Sequence, residues 1–350
     1  MNKNELENFS IRTDLAYEQT SRMEKSDLPD VTTSESTHHE IKVSKTVVGP
    51  TAAEIMKKRS GNYYTIDLSE LDFHDNETCR KIELALSDVL ETLMTELGVK
   101  DKRCLVIGLG NVNVTPDSLG PYVLDNIVVT RHLFQLGSVN NGYSEVSGMS
   151  PGVMGNTGIE TFDIINGVLS TTDVDFLIVV DALAAASIKR VNRTIQVTDA
   201  GISPGSGVGN KRKELSYDTI GIPVIAIGVP TVVDAVTITS DTIDYLLKYL
   251  NNETFGEKRP ASLLATKPLK LNYNEIAEPD ESTKEHFLGK VGLLPDQDKR
   301  ILIKEVLSPT GYNMMVTPKE IDEDIEDLAK IIATGIDLSL HQSYKNTYLQ

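Results

Sequence analysis

Two aspartates of the sequence, Asp117 and Asp181, each follow an apolar segment that is typical of a buried β-strand. Asp117 lies in the polar loop Thr115–Gly120, immediately before a helical pattern. Asp181 precedes a run of alanine and leucine, which should partly desolvate its carboxylate. Two carboxyl groups that are held together separate their pKa values, so that one serves as an acid and the other as a base. The pair is therefore a candidate for general acid–base catalysis.

The same aspartates also suit a structural interpretation. An aspartate that precedes a helix commonly accepts hydrogen bonds from the first backbone N–H groups of that helix. An aspartate at the end of a strand accepts backbone hydrogen bonds in a similar way. The residue pattern alone does not separate this interpretation from the catalytic one.

The segment Gly108–Asn111 follows an expected strand and contains two glycines, as the start of a dinucleotide-binding loop does. The full fingerprint needs a third glycine at the position where the sequence has Asn113. No acidic residue ends a second strand at the distance that ribose binding requires. The sequence therefore disfavours nucleotide binding.

A second glycine-rich loop, residues 201–210, contains Ser203, Gly205, Ser206 and Gly207. Its backbone N–H groups could bind an anion, such as the oxyanion of a reaction intermediate, or a substrate. The loop lacks the Lys-Ser/Thr ending of a phosphate-binding loop, and a plain flexible loop also explains its composition. Both interpretations stay open on the residues alone.

The remaining residues disfavour other common hydrolytic sites. None of the six histidines directly follows an expected core strand, which disfavours a Ser-His-Asp hydrolase. The sequence has no His-Glu-x-x-His motif of a zinc protease. Cys79 and Cys104 lie within an expected helix and an expected strand, where packing explains them better than nucleophilic chemistry. Two cysteines cannot form a disulfide framework, which fits a reducing, cytoplasmic compartment.

The composition of the 350-residue chain narrows the class of partner. Acidic residues outnumber basic residues by 51 to 34, and the net charge is −17. A field of this sign repels phosphate backbones, and the densest basic cluster is only Lys211–Lys213, so we expect no direct nucleic-acid binding. No apolar run is long enough to cross a membrane, and the polar N-terminus lacks the apolar stretch of a secretion signal.

The elements that must position these residues alternate along the chain. Apolar spacing predicts helices over residues 79–97, 119–127, 159–169, 241–250 and 318–333. Apolar runs predict strands over residues 104–110, 176–181 and 222–228, and an alternating segment predicts a further strand over residues 194–198. This order predicts an α/β fold of three layers, in which helices cover both faces of a mainly parallel, twisted sheet. Ligands and catalytic groups of such folds gather at the carboxyl ends of the strands.

The two ends of the chain differ from this core. Residues 1–60 are polar and weakly periodic, which predicts a mobile N-terminal arm, with an exposed loop or an edge strand over residues 31–39. Residues 253–317 are interrupted by prolines and resemble an insertion of undetermined role. The acidic side of the helix over residues 318–333 is expected to face solvent.

Several long motifs resemble the germination protease family of spore-forming bacteria. They are Gly108–Asn111, Thr115–Pro121, Pro151–Gly158, Val180–Ala185, Thr198–Asn210 and Ile225–Asp234. The resemblance implies an endopeptidase that degrades small acid-soluble spore proteins during germination, within the spore core. It also implies an inactive zymogen that assembles as a homotetramer and removes its own N-terminal propeptide.

The segment Arg12–Glu18 resembles the site that the family cuts in its substrates, with an acidic residue followed by a large apolar residue and alanine. We therefore expect self-cleavage between Asp14 and Leu15. The expected organisation is a propeptide over residues 1–14, an N-terminal arm over residues 15–78 and an α/β catalytic core over residues 79–252. An insertion and a closing helix of the same domain follow over residues 253–350.

The family is also similar to hydrogenase maturation proteases, in which acidic residues at the positions of Asp117 and Asp181 contact nickel together with a histidine. No matching histidine follows the strand over residues 222–228, so we expect no metal and no other cofactor here. In the expected mechanism, one aspartate activates water and the other protonates the carbonyl or the leaving amine. The competing hypotheses are a peptidase of the hydrogenase-maturation type and a non-catalytic ligand-binding or regulatory module.

Overall fold

Among the residues that the structure describes, eight strands of one sheet are neighbours in the order β1-β2-β3-β7-β8-β6-β4-β5. The computed structural model describes residues 29–203, 213–255, 279–307 and 314–350. The strands are β1 Val31–His38, β2 Ile41–Val48, β3 Gly61–Asp67, β4 Cys104–Gly108, β5 Val146–Met149, β6 Phe176–Ala185, β7 Thr194–Thr198 and β8 Val224–Asp234. Each predicted strand is present within this set.

The sheet has a parallel half and an antiparallel half. Strands β8, β6, β4 and β5 are parallel neighbours. Strands β1, β2, β3 and β7 are antiparallel to their neighbours, and β7 is antiparallel to β8. The α/β class is confirmed, although parallel pairing is confined to four of the eight strands. The carboxyl ends of β4, β6 and β8 lie at one edge, which we call the carboxyl edge.

Helices cover both faces of this sheet, as predicted. The helices of the sheet unit are α1 Pro50–Met56, α2 Asn76–Glu96, α3 Leu119–Asn126, α4 Arg131–Gln135, α5 Met154–Thr157, α6 Thr161–Leu169, α7 Tyr217–Ile220, α11 Ile321–Leu340 and α12 Gln342–Tyr348. Alternate residues of β4 and β6 pack on opposite faces. One face packs against α2, α3 and α11, and the other packs against α6.

Helix α2 has the buried apolar face that its sequence pattern predicts. Asp75 caps its N-terminus by accepting a 3.0 Å hydrogen bond from the Thr78 N–H. Ile82, Leu86 and Leu90 recur at helical spacing and are fully buried. The helix is followed by Gly98, whose φ of +68° suits a residue without a Cβ atom.

The N-terminal segment differs from the predicted arm in its described part. Residues 31–67 form β1, β2 and β3, which extend the sheet, and the proposed edge strand over residues 31–39 is β1. Most of β1 is exposed and polar, so its sequence carries little apolar periodicity. Residues 1–28, including the predicted propeptide, lie outside the described residues.

The C-terminal region is divided between two compact units. The sheet unit contains described residues 29–233 and 317–350, and the smaller unit lies within residues 234–316. The smaller unit contains α8 Ala235–Phe255, α9 Glu281–Leu288, α10 Asp296–Leu307 and the short strand β9 Met315–Val316. In it, the buried Arg300 forms an ion pair with Asp241 of α8. Within the described ranges, no helix combines the length and the apolar character that crossing a membrane requires.

Helix α11 is buried more completely than its sequence suggested. Asp322, Glu323 and Glu326 are exposed, as expected, whereas Asp324 is buried. Asp337, which lies beyond the predicted range of the helix, is buried as well. Asp324 accepts a 2.7 Å hydrogen bond from the Asn192 side chain. Both carboxylate oxygens of Asp337 lie 3.2 Å from the backbone nitrogen of Val128, which donates to them. These hydrogen bonds offset part of the cost of burying the two carboxyl groups.

A close backbone approach joins β4, β6 and the start of α3. The Leu109 N–H donates to the Val180 carbonyl at 2.8 Å. Gly120 packs against this hydrogen bond so closely that a Cβ atom would overlap Leu109 and would lie 2.7 Å from the Val180 oxygen. A Cβ atom on Gly108 would overlap the Gly120 carbonyl. Residues larger than glycine therefore do not fit at positions 108 and 120.

We expect Gly120→Ala to lower the free energy of unfolding by about 1–3 kcal/mol, because the added methyl group meets backbone atoms that cannot move independently. Urea denaturation measures this change. Gly155→Ala is the matched control, since a Cβ atom at Gly155 meets open space. Equal stability of the two variants would contradict the proposed close packing.

A second prediction concerns the pH dependence of stability. Burial raises the pKa of the Asp337 carboxyl to about 7, because the charged form loses its hydration. The carboxyl of an unfolded chain has a pKa of about 3.9, so the folded state binds the extra proton between these values. The stability that this proton contributes is therefore lost as the pH rises from about 4 to about 7.

We expect Asp337→Asn to gain stability relative to the wild type as the pH rises through this window, by up to about 4 kcal/mol. Urea denaturation at both ends of the window measures the difference. A difference between variant and wild type that does not change with pH would show that Asp337 titrates normally in the folded chain.

Candidate functional site

Asp117 lies in a turn that is fixed by backbone hydrogen bonds. It ends a short 3-10 helix, Thr115–Asp117, just before α3. The Asp117 N–H donates to the Val114 carbonyl at 2.7 Å, and the Asp117 carbonyl accepts from the Asn111 N–H at 2.9 Å. Gly110, with a φ of +117°, packs against Asp117, and a Cβ atom there would lie 3.4 Å from the Asp117 carboxyl carbon. The turn therefore holds the backbone of Asp117 against the end of β4.

Asp181 lies inside a strand rather than at its end. Strand β6 continues to Ala185, and Asp181 pairs with Gly228 of β8, so the predicted position at a strand end is wrong. Pairing with β4 nevertheless stops one residue earlier, at Val180 and Gly108. Asp181 is 5% exposed, and its Oδ1 accepts a 3.0 Å hydrogen bond from the Ala182 N–H. The expected partial desolvation of this carboxylate is therefore present.

The two aspartates lie at the same edge of neighbouring strands. Val180, which precedes Asp181, accepts the hydrogen bond from Leu109, and Gly110 packs against Asp117. The 3-10 turn that carries Asp117 also contacts β6. Both residues are thus placed at the carboxyl edge, where β4 ends and β6 continues. Carboxyl groups at such an edge can bind a substrate, hold a water molecule and exchange protons.

A third strand also holds the Asp117 turn. The side chain of Thr231, on β8, donates a 2.6 Å hydrogen bond to the carbonyl of Pro116, and Thr231 is fully buried. Thr317 in turn donates to the Thr231 carbonyl at 2.8 Å. Thr231 was missed by the sequence reasoning, because a threonine in an apolar run is also an ordinary strand former. A hydroxyl within an otherwise apolar strand is the signal that could have identified it.

The loop after β5 completes this edge. Ser150 donates to the Gly108 carbonyl at 3.1 Å, and the side-chain amide of Asn156 donates to the Asn111 side chain at 3.3 Å. The loop Ser150–Glu160 therefore lies beside the loop that leads from β4 to Asp117. The motifs at residues 108–121 and 151–158, which are distant in sequence, are adjacent in the fold.

The glycine-rich loop leaves the sheet at the other edge. Because β7 is antiparallel to β8, its carboxyl end lies opposite the carboxyl edge, and the rule for parallel strands does not apply to it. Ile202 and Leu215 pair at the base of the loop, and Ser203 follows with partial exposure. Gly205, Ser206 and Gly207 lie outside the described residues, so their oxyanion role stays a prediction.

The structure describes only some of the remaining predicted residues. Asp14, Leu15 and two members of the basic cluster, Lys211 and Arg212, lie outside the described residues. Lys213 is exposed, and its ammonium group lies 3.1 Å from an Asp163 carboxylate oxygen and over the Phe162 ring. In the part of the chain that the structure describes, no three histidine, cysteine or acidic side chains form a group that could hold a metal ion.

His341 is the most deeply buried histidine among the described residues. Its Nδ1 accepts from the Ser144 N–H at 3.3 Å, and its Nε2 lies 3.2 Å from the Val128 carbonyl. These contacts require a neutral ring with the proton on Nε2. Burial also lowers the pKa of the His341 imidazole, since the charged form would lose its hydration. The residue thus connects α11 to two loops and has a structural role.

Comparisons with known proteins give matches that extend over nearly the whole chain. A family model described as germination protease matches residues 10–349. The germination protease of Bacillus cytotoxicus is 50% identical over 349 residues, which cover 96% of this chain and 95% of that protein. The germination protease of Bacillus cereus strain AH187 is 51% identical, with the same coverage of both chains.

A solved structure of a NiFe hydrogenase maturation protease from Thermococcus kodakarensis is 19% identical. The match covers 41% of this chain and 80% of that chain, with a TM-score of 0.27. The family match and the curated relatives both extend over nearly the whole sequence. The chain is a peptidase that belongs to the germination protease family.

Proposed function

We propose that this chain is the endopeptidase that starts the degradation of small acid-soluble spore proteins when a spore germinates. The observation that carries this proposal is the placement of Asp117 and Asp181 at one carboxyl edge, in a chain of the germination protease family. The site of action is the spore core. The substrates are proteins, and the strongly negative net charge argues against direct contact with nucleic acid.

The proposed reaction is the attack of water on the scissile carbonyl. One aspartate accepts a proton from the water molecule while the water oxygen bonds to the carbonyl carbon. The other aspartate, in its protonated form, donates to the carbonyl oxygen or to the leaving amine. The unequal environments of the partly exposed Asp117 and the buried Asp181 support different roles for the two carboxyl groups.

The proposal includes self-processing of a zymogen. Cleavage between Asp14 and Leu15 would remove residues 1–14, because the segment Arg12–Glu18 has the residue pattern of a substrate site. The family resemblance also supports assembly as a homotetramer. The processed chain would then act on the spore proteins with the same two aspartates.

We expect Asp117→Asn and Asp181→Asn each to lower the rate of peptide cleavage by about 10²–10⁴-fold, because an amide cannot exchange the proton. Mass spectrometry of the full chain at mildly acidic pH measures the loss of residues 1–14, and a spore-protein peptide measures cleavage of a separate substrate. Asp125→Asn, at an exposed position of α3, is the matched control.

The outcomes separate the competing functions. A single variant that folds and keeps full activity would remove that aspartate from the mechanism. A wild-type chain that cleaves neither itself nor the peptide would favour a non-catalytic binding module instead.

Thr231 should act as a positioning residue for Asp117. Thr231→Val keeps the side-chain shape but leaves the Pro116 carbonyl without its buried donor, so the Asp117 turn should shift. We expect kcat to fall about tenfold or more with little change in KM, since loss of about 1–3 kcal/mol of hydrogen bonding misplaces the turn.

Thr231→Ser restores the donor and should recover most of kcat. Thr46→Val, at a buried threonine of β2 remote from the carboxyl edge, is the control for loss of a buried hydroxyl. If Thr231→Val changes only the stability of the chain, Thr231 has a purely structural role.

A further inference from the structure

Four large apolar side chains lie exposed beside the Asp117 turn. They belong to the loop after β4 and to the loop after β5, and we call them the apolar rim. Their exposed fractions are 52% for Val112, 47% for Val114, 48% for Met154 and 52% for Ile159. Exposed apolar residues that occur singly are ordinary, whereas a group of them marks a surface that binds something.

Both loops of the apolar rim are held in place by their own hydrogen bonds. Asn111 accepts from the Val114 N–H at 3.0 Å through its carbonyl and from the Asn113 N–H at 3.1 Å through its side chain. In the second loop, the Thr157 hydroxyl donates to the Ile159 carbonyl at 3.1 Å. These bonds fix loops whose apolar side chains gain nothing from folding alone, which is typical of a prepared binding surface.

The two loops are connected to each other and to the candidate catalytic residue. The Asn156 side chain donates to the Asn111 side chain at 3.3 Å, which joins the two loops that carry the apolar rim. Val114 is hydrogen-bonded to the Asp117 turn, because its carbonyl accepts from the Asp117 N–H at 2.7 Å. A ligand that contacts Val114 on the apolar rim would therefore lie next to the Asp117 turn.

We infer that the apolar rim binds a large apolar side chain of the substrate, next to the peptide bond that is cut. This inference rests on the proposed function. A second copy of the chain bound permanently at this position would cover the Asp117 turn, so a transient peptide suits the surface better. Apolar contact also suits a protein with a net charge of −17, because it does not depend on charge attraction to an acidic substrate.

The test compares two peptides that differ only in the apolar side chain. One peptide has the sequence of residues 8–22 of this chain, and the other carries Leu15→Ala. Wild-type enzyme should prefer the leucine peptide by about tenfold or more in kcat/KM, the effect expected from one buried apolar side chain. Ile159→Asn and Met154→Gln should reduce this preference to about threefold or less, since the apolar contact is lost.

Ile55→Asn is the matched control, because Ile55 is 46% exposed on α1 and is not part of the apolar rim. This control should keep the wild-type preference. If Ile159→Asn and Met154→Gln also keep it while cleavage continues, the inference is wrong and the proposed function stands.

Binding tests the inference independently of cleavage. In an Asp117→Asn background, fluorescence anisotropy of the labelled leucine peptide should show about tenfold weaker binding when Ile159→Asn is added. Unchanged binding would overturn the inference even if the wild-type chain cleaves nothing. The other possible occupant of the apolar rim is a second copy of the chain, and sedimentation velocity of Ile159→Asn tests it. Dissociation of an oligomer with unchanged peptide preference would overturn the inference and identify the apolar rim as a subunit interface.

Discussion

The candidate site depends on the close approach of backbone segments at the ends of β4 and β6. The Leu109 N–H donates to the Val180 carbonyl just past the last residue of β4. Gly108 and Gly120 allow the first turn of α3 to pack directly against this hydrogen bond. Without Cβ atoms at these two positions, the chain can turn from β4 into the Asp117 loop in very little space. The backbone positions of both aspartates therefore depend on close packing at Gly108 and Gly120.

Three strands contribute to a site that the chain assembles from distant segments. Strand β4 leads into the Asp117 turn, β6 carries Asp181, and β8 supplies the Thr231 hydroxyl. Because the three strands are parallel neighbours, residues far apart in sequence meet at one edge. The loop after β5 adds a second wall through its hydrogen bonds to Gly108 and Asn111. The edge therefore combines rigid strands with short loops, an arrangement that suits binding and catalysis.

The sequence predicted those elements whose burial leaves a clear apolar pattern. Strand β7 and helix α2 were predicted closely because their apolar residues alternate with polar ones in β7 and are helically spaced in α2. The direction of β7 was not predictable, because strand composition does not tell which neighbour the strand pairs with or in which sense. The exposed strand β1 had no apolar pattern to read. Burial of Asp324 and Asp337 was also hidden, since local charge does not reveal the tertiary partners of a carboxylate.

The position of β1 determines how far the N-terminal segment must extend for Leu15 to reach Asp181 of the same chain. Strand β1 is five sheet positions from β6, about 24 Å at ~4.8 Å per strand. Its first residue, Val31, also lies at the edge away from Asp181, since the antiparallel pairings alternate across β1, β2, β3 and β7. The sixteen residues from Leu15 to Asp30 have a contour length of about 54 Å at ~3.4 Å per residue, so a chain can reach its own site. An encounter within one chain would make the rate of processing independent of protein concentration, whereas an encounter between two chains would make it second order.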